Sequence, residues 1–290
     1  MLILRLASGE ERVVVSDAVS TRFFYRQNIS SIIIHDGVTE IGRGAFYGCT
    51  SLVSITLPES PTTIEQDAFR GCTSLVSISF PDGVTEIGRG AFYGCSSLVS
   101  ITLPESLTTI EQDAFRGCTS LVSITLPGGL MEIEEDAFQD CTSLASITFP
   151  AGVATIGWGA FCGCTSLASI SFPDGVTEIG RGAFSGCTSL TSITIPEGVT
   201  TIKGYAFSGC TSLAGITLPE SVTTIGYLAF DRQTTVLVCM PFSKENSKQC
   251  DRASKARVRT ILLCLFLLEI PTVVLRRFLN FLDLTRMLET

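Results

Sequence analysis

Eight cysteines recur at a fixed step: Cys49, Cys72, Cys95, Cys118, Cys141, Cys164, Cys187 and Cys210 are each 23 residues apart. Thiols can bind zinc, form disulfides or act as nucleophiles. Zinc needs four ligands converging on a point, whereas an even step spreads these residues along a line. No C-x-x-C pair flanks them, and the one close pair is Cys162-Gly-Cys164. Two readings of the ladder stand: bridges between neighbouring rungs, which the spacing permits, or a small soft residue filling a buried corner. The carboxylates cluster as Glu65/Asp67, Glu111/Asp113 and Glu132/Glu134/Glu135/Asp136. Paired carboxylates serve glycoside hydrolysis when they face each other across a cleft in unlike environments. These instead alternate along the chain with Arg43, Arg89 and Arg181, as a solvated, charge-patterned face does, with Asp67 or Asp113 capping a short turn. His35 is the single histidine. It is expected at the surface, and a Ser-His-Asp triad would rest on it alone.

The third feature is a ladder of hydroxyls. It runs Ser54/Thr56, Ser77/Ser79, Ser100/Thr102, Ser123/Thr125, Ser146/Thr148, Ser169/Ser171, Ser192/Thr194 and then Gly215/Thr217. These residues are expected to pave the outward face of successive strands. Such paving either forms a flat, uncharged adhesive surface, for a protein, a glycan or even ice, or simply suits a solvated strand face.

All three ladders follow one 23-residue period. Phe46 recurs at Phe69, Phe92, Phe115, Phe138, Phe161, Phe184, Phe207 and Phe230, and eight of the 11 prolines and eight of the 12 cysteines keep the same step. A period in the twenties marks a solenoid, whose units bury their apolar faces against each other. Unit one, Gly37 to Glu59, reads GVTEIGRGAFYGCTSLVSITLPE. Its end alternates apolar and small polar residues like a half-buried strand, until Pro58 removes a backbone donor. Val38 to Ile41 is a second extended stretch, and the glycines of GRGAFYGC specify a tight turn or one helical turn. Units one and three differ only at Thr50/Ser96, so the copying step there was a pair of units.

The spacing L-x-x-I-x-L, within V-T-x-I-x-x-x-A-F-x-x-C-x-S-L-x-x-I-x-L-P, resembles the BspA-type leucine-rich repeat over Gly37 to Phe230. The resemblance implies a leucine-rich-repeat solenoid of the α/β repeat class: mostly short parallel strands joined by tight turns, curved, with a parallel sheet on the concave face. That family includes bacterial and protozoan surface proteins, and it specifies fold more sharply than function.

Four regions are expected. Residues 1–36 form a degenerate capping repeat in which Phe23, Ile29, Ile32 and Ile34 take the slots of Phe46, Leu52, Ile55 and Leu57. Residues 37–242 are the solenoid, with Thr234 to Met240 closing the sheet. Residues 243–260, with six basic and two acidic residues, form a basic linker, and residues 261–290 a short α-helical tail. Within the tail, LLEIPTVVLRRFLNFLDL is apolar at helical spacing after Pro271. It is similar to the opening of an F-box, with some likeness to the Leu-Pro segment of SOCS-type boxes; the preferred reading is an amphipathic helical pair that caps the last repeat.

The formal charge of −8 argues against nucleic acid, which requires clustered Lys and Arg. Residues 37–230 carry a net −12 and residues 231–290 a net +4. Ile261 to Leu275, the most apolar run, is 15 residues long, short of the roughly 20 of a spanning helix. Met1 to Ala7 is interrupted by Arg5 and is not followed by a cleavage site, so the expectation is a cytoplasmic protein with reduced thiols. A surface location is the alternative if a leader lies upstream, and would make Asn28-Ile-Ser30 a usable sequon. Together these features point to a non-enzymatic protein-interaction scaffold that needs no cofactor or metal. It would bind a protein through the hydroxyl ladder, with residues 261–290 as a possible adaptor contact. The alternatives are a BspA-type surface adhesion protein and a ubiquitin-ligase substrate adaptor.

Overall fold

The computed structural model describes residues 2–6, 8–9, 11–14, 28–57, 63–81 and 83–238. The basic linker, the helical tail and Phe23 lie outside these described residues, and with them the F-box-like and cap readings of residues 261–290.

Each 23-residue unit makes one coil of a parallel β-solenoid, bonded to its neighbours along three lines. The first line is a ten-stranded sheet. It runs Ser192–Thr194, Ser169–Ser171, Ser146–Thr148, Ser123–Thr125, Ser100–Thr102, Ser77–Ser79, Ser54–Thr56, Ile29–Ile34, Leu2–Leu6 and Glu11–Val14. Strands from successive units pair in parallel at a shift of one period, for example Ile101 with Ile124. The second line is a sheet of two-residue strands, from Thr109–Ile110 through Thr224–Ile225. The pair Glu40–Ile41 and Thr63–Ile64 extends the same line through an Ile64–Ile87 bridge.

The third line is made by turns. The amides of Gly44, Phe46 and Gly48 donate to the carbonyls of Gln66, Ala68 and Arg70 on the next rung, at 2.8–2.9 Å. The intervening amides of Ala45, Tyr47 and Cys49 fold back on Gly42, Gly44 and Phe46 within the rung. This alternation gives the buried turn amides partners without a helix, and no helix occurs among the described residues. It requires a left-handed residue at the Gly44 slot. Gly90 (φ 61°) meets that need, and so do Asp67 (φ 57°) and Asp113 (φ 58°). These aspartates are therefore left-handed turn residues and not the turn caps expected from the sequence.

The core is equally periodic. Leu52, Ile55 and Leu57 face inward with Val38, Ile41, Ala45, Phe46 and Cys49, and their equivalents do the same. The nine phenylalanines form one continuous stack with ring centroids 5.2–5.5 Å apart. That spacing is slightly wider than the strand separation of about 4.8 Å, as tilted, offset rings demand. Phe80, Phe149 and Phe172 fill the Leu57 slot and meet the stack edge-on.

The N-terminal end departs from the repeat. Ile29–Ile34 pairs in parallel with Ser54–Thr56, setting Ile32 opposite Ile55. Leu2–Leu6 then runs antiparallel to it and is covered in turn by Glu11–Val14. An antiparallel hairpin, which the repeat pattern does not contain, thus covers the first edge of the sheet.

A ring inside the stack has two ring neighbours, whereas Phe230 has one among the described residues. Phe138→Ala is expected to cost about 3–5 kcal/mol, within the range for buried aromatic truncation, and Phe230→Ala distinctly less. Urea denaturation followed by far-UV circular dichroism would measure both. Equal costs would mean that stacking along the rod does not govern stability.

Candidate functional site

The spacing Leu52-Val53-Ser54-Ile55-Thr56-Leu57 decides which side chains leave the core. Leu52 and Ile55, three apart, are both buried, which a straight strand cannot achieve. The chain bends between them, so Val53 and Ser54 both point outward, followed by Thr56. The sequence-predicted residues Ser54, Thr56, Ser77, Ser79, Ser100, Thr102, Ser123, Thr125, Ser146, Thr148, Ser169, Ser171, Ser192, Thr194 and Thr217 all lie exposed on the long-sheet side. The structure brings them together as two parallel rows, and no side-chain hydrogen bond among the described residues engages their hydroxyls.

A third row was missed. Val53, Val76, Val99 and Val122 are 44–48% exposed on consecutive rungs, continued by Ala145, Ala168, Thr191 and Ala214. At the N-terminal end Ile33, 43% exposed, takes the Thr56 position. The signal was present in the L-x-x-I spacing, which forces the bend that turns the valine out. From Ser30 to Thr217 none of these three positions carries a charge on any rung. The face offers rows of methyls and hydroxyls at strand spacing. It has no general acid, no base and no metal ligand, and suits a partner recognised by shape and neutral hydrogen bonds.

The other ladders are occupied within the fold. From Cys72 to Cys210 each ladder thiol donates to the phenylalanine carbonyl of the preceding rung: Cys72 to Phe46 and Cys95 to Phe69 at 3.1 Å, Cys118 to Phe92 at 3.2 Å. That carbonyl already accepts its own rung's cysteine amide, so the thiol uses its second lone pair. All nine described cysteines are free thiols. Burial pushes Cys95, Cys141 and Cys210 up to about 12, which removes thiolate reactivity at neutral pH. Hydroxyls in the Thr50 slot make similar links; Thr119, Thr142 and Thr165 each donate to the carbonyl one rung back at 3.3–3.4 Å.

The carboxylates also act between rungs. The Glu65 carboxylate accepts the Arg43 amide at 2.8 Å, and Glu134 that of Gln112 at 3.0 Å. Arg116 bridges Asp113 and Asp136, both at 3.1 Å, and its guanidinium lies over Tyr93. Arg181 covers Trp158 at 5.4 Å, a local cation–π contact. Partial burial and then the neighbouring Glu86 raise the Glu111 carboxyl above its ordinary range. His35 is half-buried and its Nε2 is shielded without a partner. Against the expected surface position, the side chain is only partly exposed.

The decisive comparison is one of sequence. The BspA type Leucine rich repeat region matches residues 17–145 and 131–251, in six copies. The chain belongs to that family. Solved leucine-rich repeat structures are similar to the chain. A leucine rich cell surface protein from Faecalibacterium prausnitzii aligns at 26% identity and TM-score 0.51, covering 85% of this chain and 88% of its own. A leucine-rich repeat protein from Bacteroides ovatus gives 25% identity and TM-score 0.51, covering 81% of each. The pneumococcal vaccine antigen PcpA, at 19% identity, TM-score 0.51 and coverage of 77% and 71%, is similar in fold alone. Among curated proteins none matches the chain significantly. BspA-type repeats form a protein-interaction scaffold class, and no catalytic family is indicated for the chain. No helix among the described residues is long and apolar enough to cross a membrane.

Two measurements follow from these ladders. Iodoacetamide on the native protein at neutral pH, read by peptide mass spectrometry, is expected to label Cys162 first among the nine described cysteines. The eight ladder thiols should react only after denaturation. Glu111 has a raised folded pKa, so its charge disfavours folding at neutral pH, and the penalty lifts as pH falls through the folded value. Glu111→Gln is therefore expected to raise Tm at pH 7, with the gain shrinking toward pH 4; a gain constant with pH would refute the assignment.

Proposed function

We propose that the protein is a non-enzymatic interaction scaffold that binds a partner protein across the exposed face of its long sheet. That this face is the concave one is what the family resemblance implies. One observation carries the reading: the Val53, Ser54 and Thr56 rows are exposed, free of charge and unengaged over most of the solenoid, in a chain whose solenoid carries a net −12. A surface kept neutral in so acidic a rod favours a partner read by neutral hydrogen bonds and methyl contacts. The lack of aromatic side chains along the three rows favours a protein over a sugar, which stacks on rings.

A second reading concerns place. The expectation of a cytoplasmic protein draws no support from the relatives, and the F. prausnitzii protein is described as a cell surface protein. We infer that recognition at the cell surface is the better-supported setting for the same face. Ser30, the third residue of the Asn28 sequon, donates its hydroxyl to the Arg5 carbonyl at 3.0 Å. Asn28 itself is exposed.

The test is affinity capture with quantitative mass spectrometry. Thr102→Arg/Thr125→Arg places two charges on the face, and Glu86→Lys on the second-sheet side serves as the control. Proteins retained by the unmodified chain and the control, but lost with the double variant, are the expected result. Equal retention by all three would overturn the assignment. Antibody staining of intact against permeabilised cells decides the place.

A further inference from the structure

The turn side of the coil changes character half-way along the rod. In the early rungs its arginines and carboxylates pair with each other: Arg70 with Asp67, Arg89 with Asp113, and Arg116 with Asp113 and Asp136. The turns of the next three rungs, residues 157–166, 180–189 and 203–212, contain Arg181 and Lys203 and no carboxylate. Lys203 is held by Glu178 of the second sheet at 2.7 Å. Arg181 is exposed and has no ion pair among the described residues.

Aromatic rings stand where the carboxylates are missing. The Arg181 guanidinium lies 5.4 Å from the Trp158 ring on the preceding rung and 5.5 Å from the Tyr205 ring on the following one. Tyr205 meets Tyr227 edge-on at 5.8 Å. Four side chains from four consecutive rungs thus form an unbroken strip, about 15 Å long at strand spacing. Its ends are open to solvent: Trp158 is 55% exposed and Tyr227 63%. Trp158, Arg181 and Tyr227 occupy the slot of Arg43, and on the rung between them that slot is Gly204, which alone would break the row. Tyr205 fills the gap from the slot of Gly44. It does so at φ 62°, a left-handed conformation that every preceding rung gives to glycine or aspartate.

We propose that this strip binds a carboxylate-bearing saccharide laid along the rod. A sugar ring sets a flat face of C–H groups on an aromatic ring, and its carboxylate takes the paired N–H donors of a guanidinium. Arg181 is prepared for that role, because the rings on both sides restrain it and no carboxylate competes for it. The field agrees. Residues 37–150 carry 4 basic against 14 acidic residues, residues 151–230 only 2 against 4, so an anion is repelled least at these rungs. A peptide is served less well. Strand addition needs free main-chain groups, yet the amides of Gly182, Phe184 and Tyr205 already donate to Gly204, Ala206 and Tyr227. A protein hot spot sits in a pocket ringed against water, whereas Trp158 and Tyr227 stand open. The strip lies apart from the Val53, Ser54 and Thr56 rows and does not depend on the scaffold reading.

Trp158 is the single tryptophan of the chain, so its emission reports on this strip alone. The full chain is titrated with trigalacturonate, a hyaluronan tetrasaccharide and sialyllactose, each against its carboxyl-methyl ester, and with hexaglutamate. The expected result is a saturable change in emission with at least one of the three acids. Esterification or Arg181→Gln should weaken it about tenfold, as loss of a charge-assisted paired contact implies. Glutamine already stands in that slot at Gln66 and Gln112, so this variant suits the fold. Tyr205→Gly, which supplies the glycine of other rungs, should weaken binding without lowering Tm. Thr102→Arg/Thr125→Arg on the long sheet should leave binding unchanged, and a loss there would move the sugar to the sheet face and overturn the proposal. No response to any of the acids, an equal response to their esters, or unchanged affinity in Arg181→Gln would overturn it too. A response to hexaglutamate as strong as that to the sugars would assign the strip to an acidic peptide instead.

Discussion

Every coil depends on a main-chain constraint: alternate turn amides must find their carbonyl on the next rung, because the intervening ones close the turn itself. The Phe46 to Ala68 bond and its repeats hold the rungs at strand spacing on the side where no sheet exists. Once that spacing is imposed, one unbranched planar side chain fills each rung best, and the phenylalanine stack follows. The left-handed Gly44 slot, the alanine beside it and the small thiol below are what room remains. The coil is a hydrogen-bonding solution first and a packing solution second.

The period made most of this legible. Phe46, Cys49, Leu52, Ile55 and Leu57 were readable as inward slots because identical residues at one step must occupy identical environments. The exposed hydroxyl rows were legible for the same reason. The valine row was not, since period-two alternation hides a bend that only the distance from Leu52 to Ile55 reveals. Asp67 read as a cap because aspartate serves caps and left-handed turns alike; its equivalence with Gly44 was the discriminating clue. The N-terminal hairpin lies in sequence that repeats nothing, so no neighbouring rung reported its environment.

The cysteine ladder shows how a reactive residue type can be silent. Each thiol sits on a carbonyl that has one lone pair left over, in a corner too small for most other donors. Burial raises the cost of ionisation, and the bond to the carbonyl occupies the proton. Sequence spacing shows that the thiols line up, but the partner of each is a main-chain oxygen, which has no signature in the sequence.

The turn slots also constrain how such a rod can grow. A β-carbon on Gly90 would lie 2.9 Å from the Asp67 carboxylate, and one on Gly159 would run into that of Asp136. An aspartate rung is thus best followed by a glycine rung, and where two aspartates do succeed each other, Arg116 is interposed between Asp113 and Asp136. A gene duplication of two units preserves that order at both seams, whereas one of a single aspartate unit sets carboxylate on carboxylate. Recombination would then be tolerated in steps of 46 residues, and near-identical rung pairs such as those beginning at Gly37 and Gly83 are its trace.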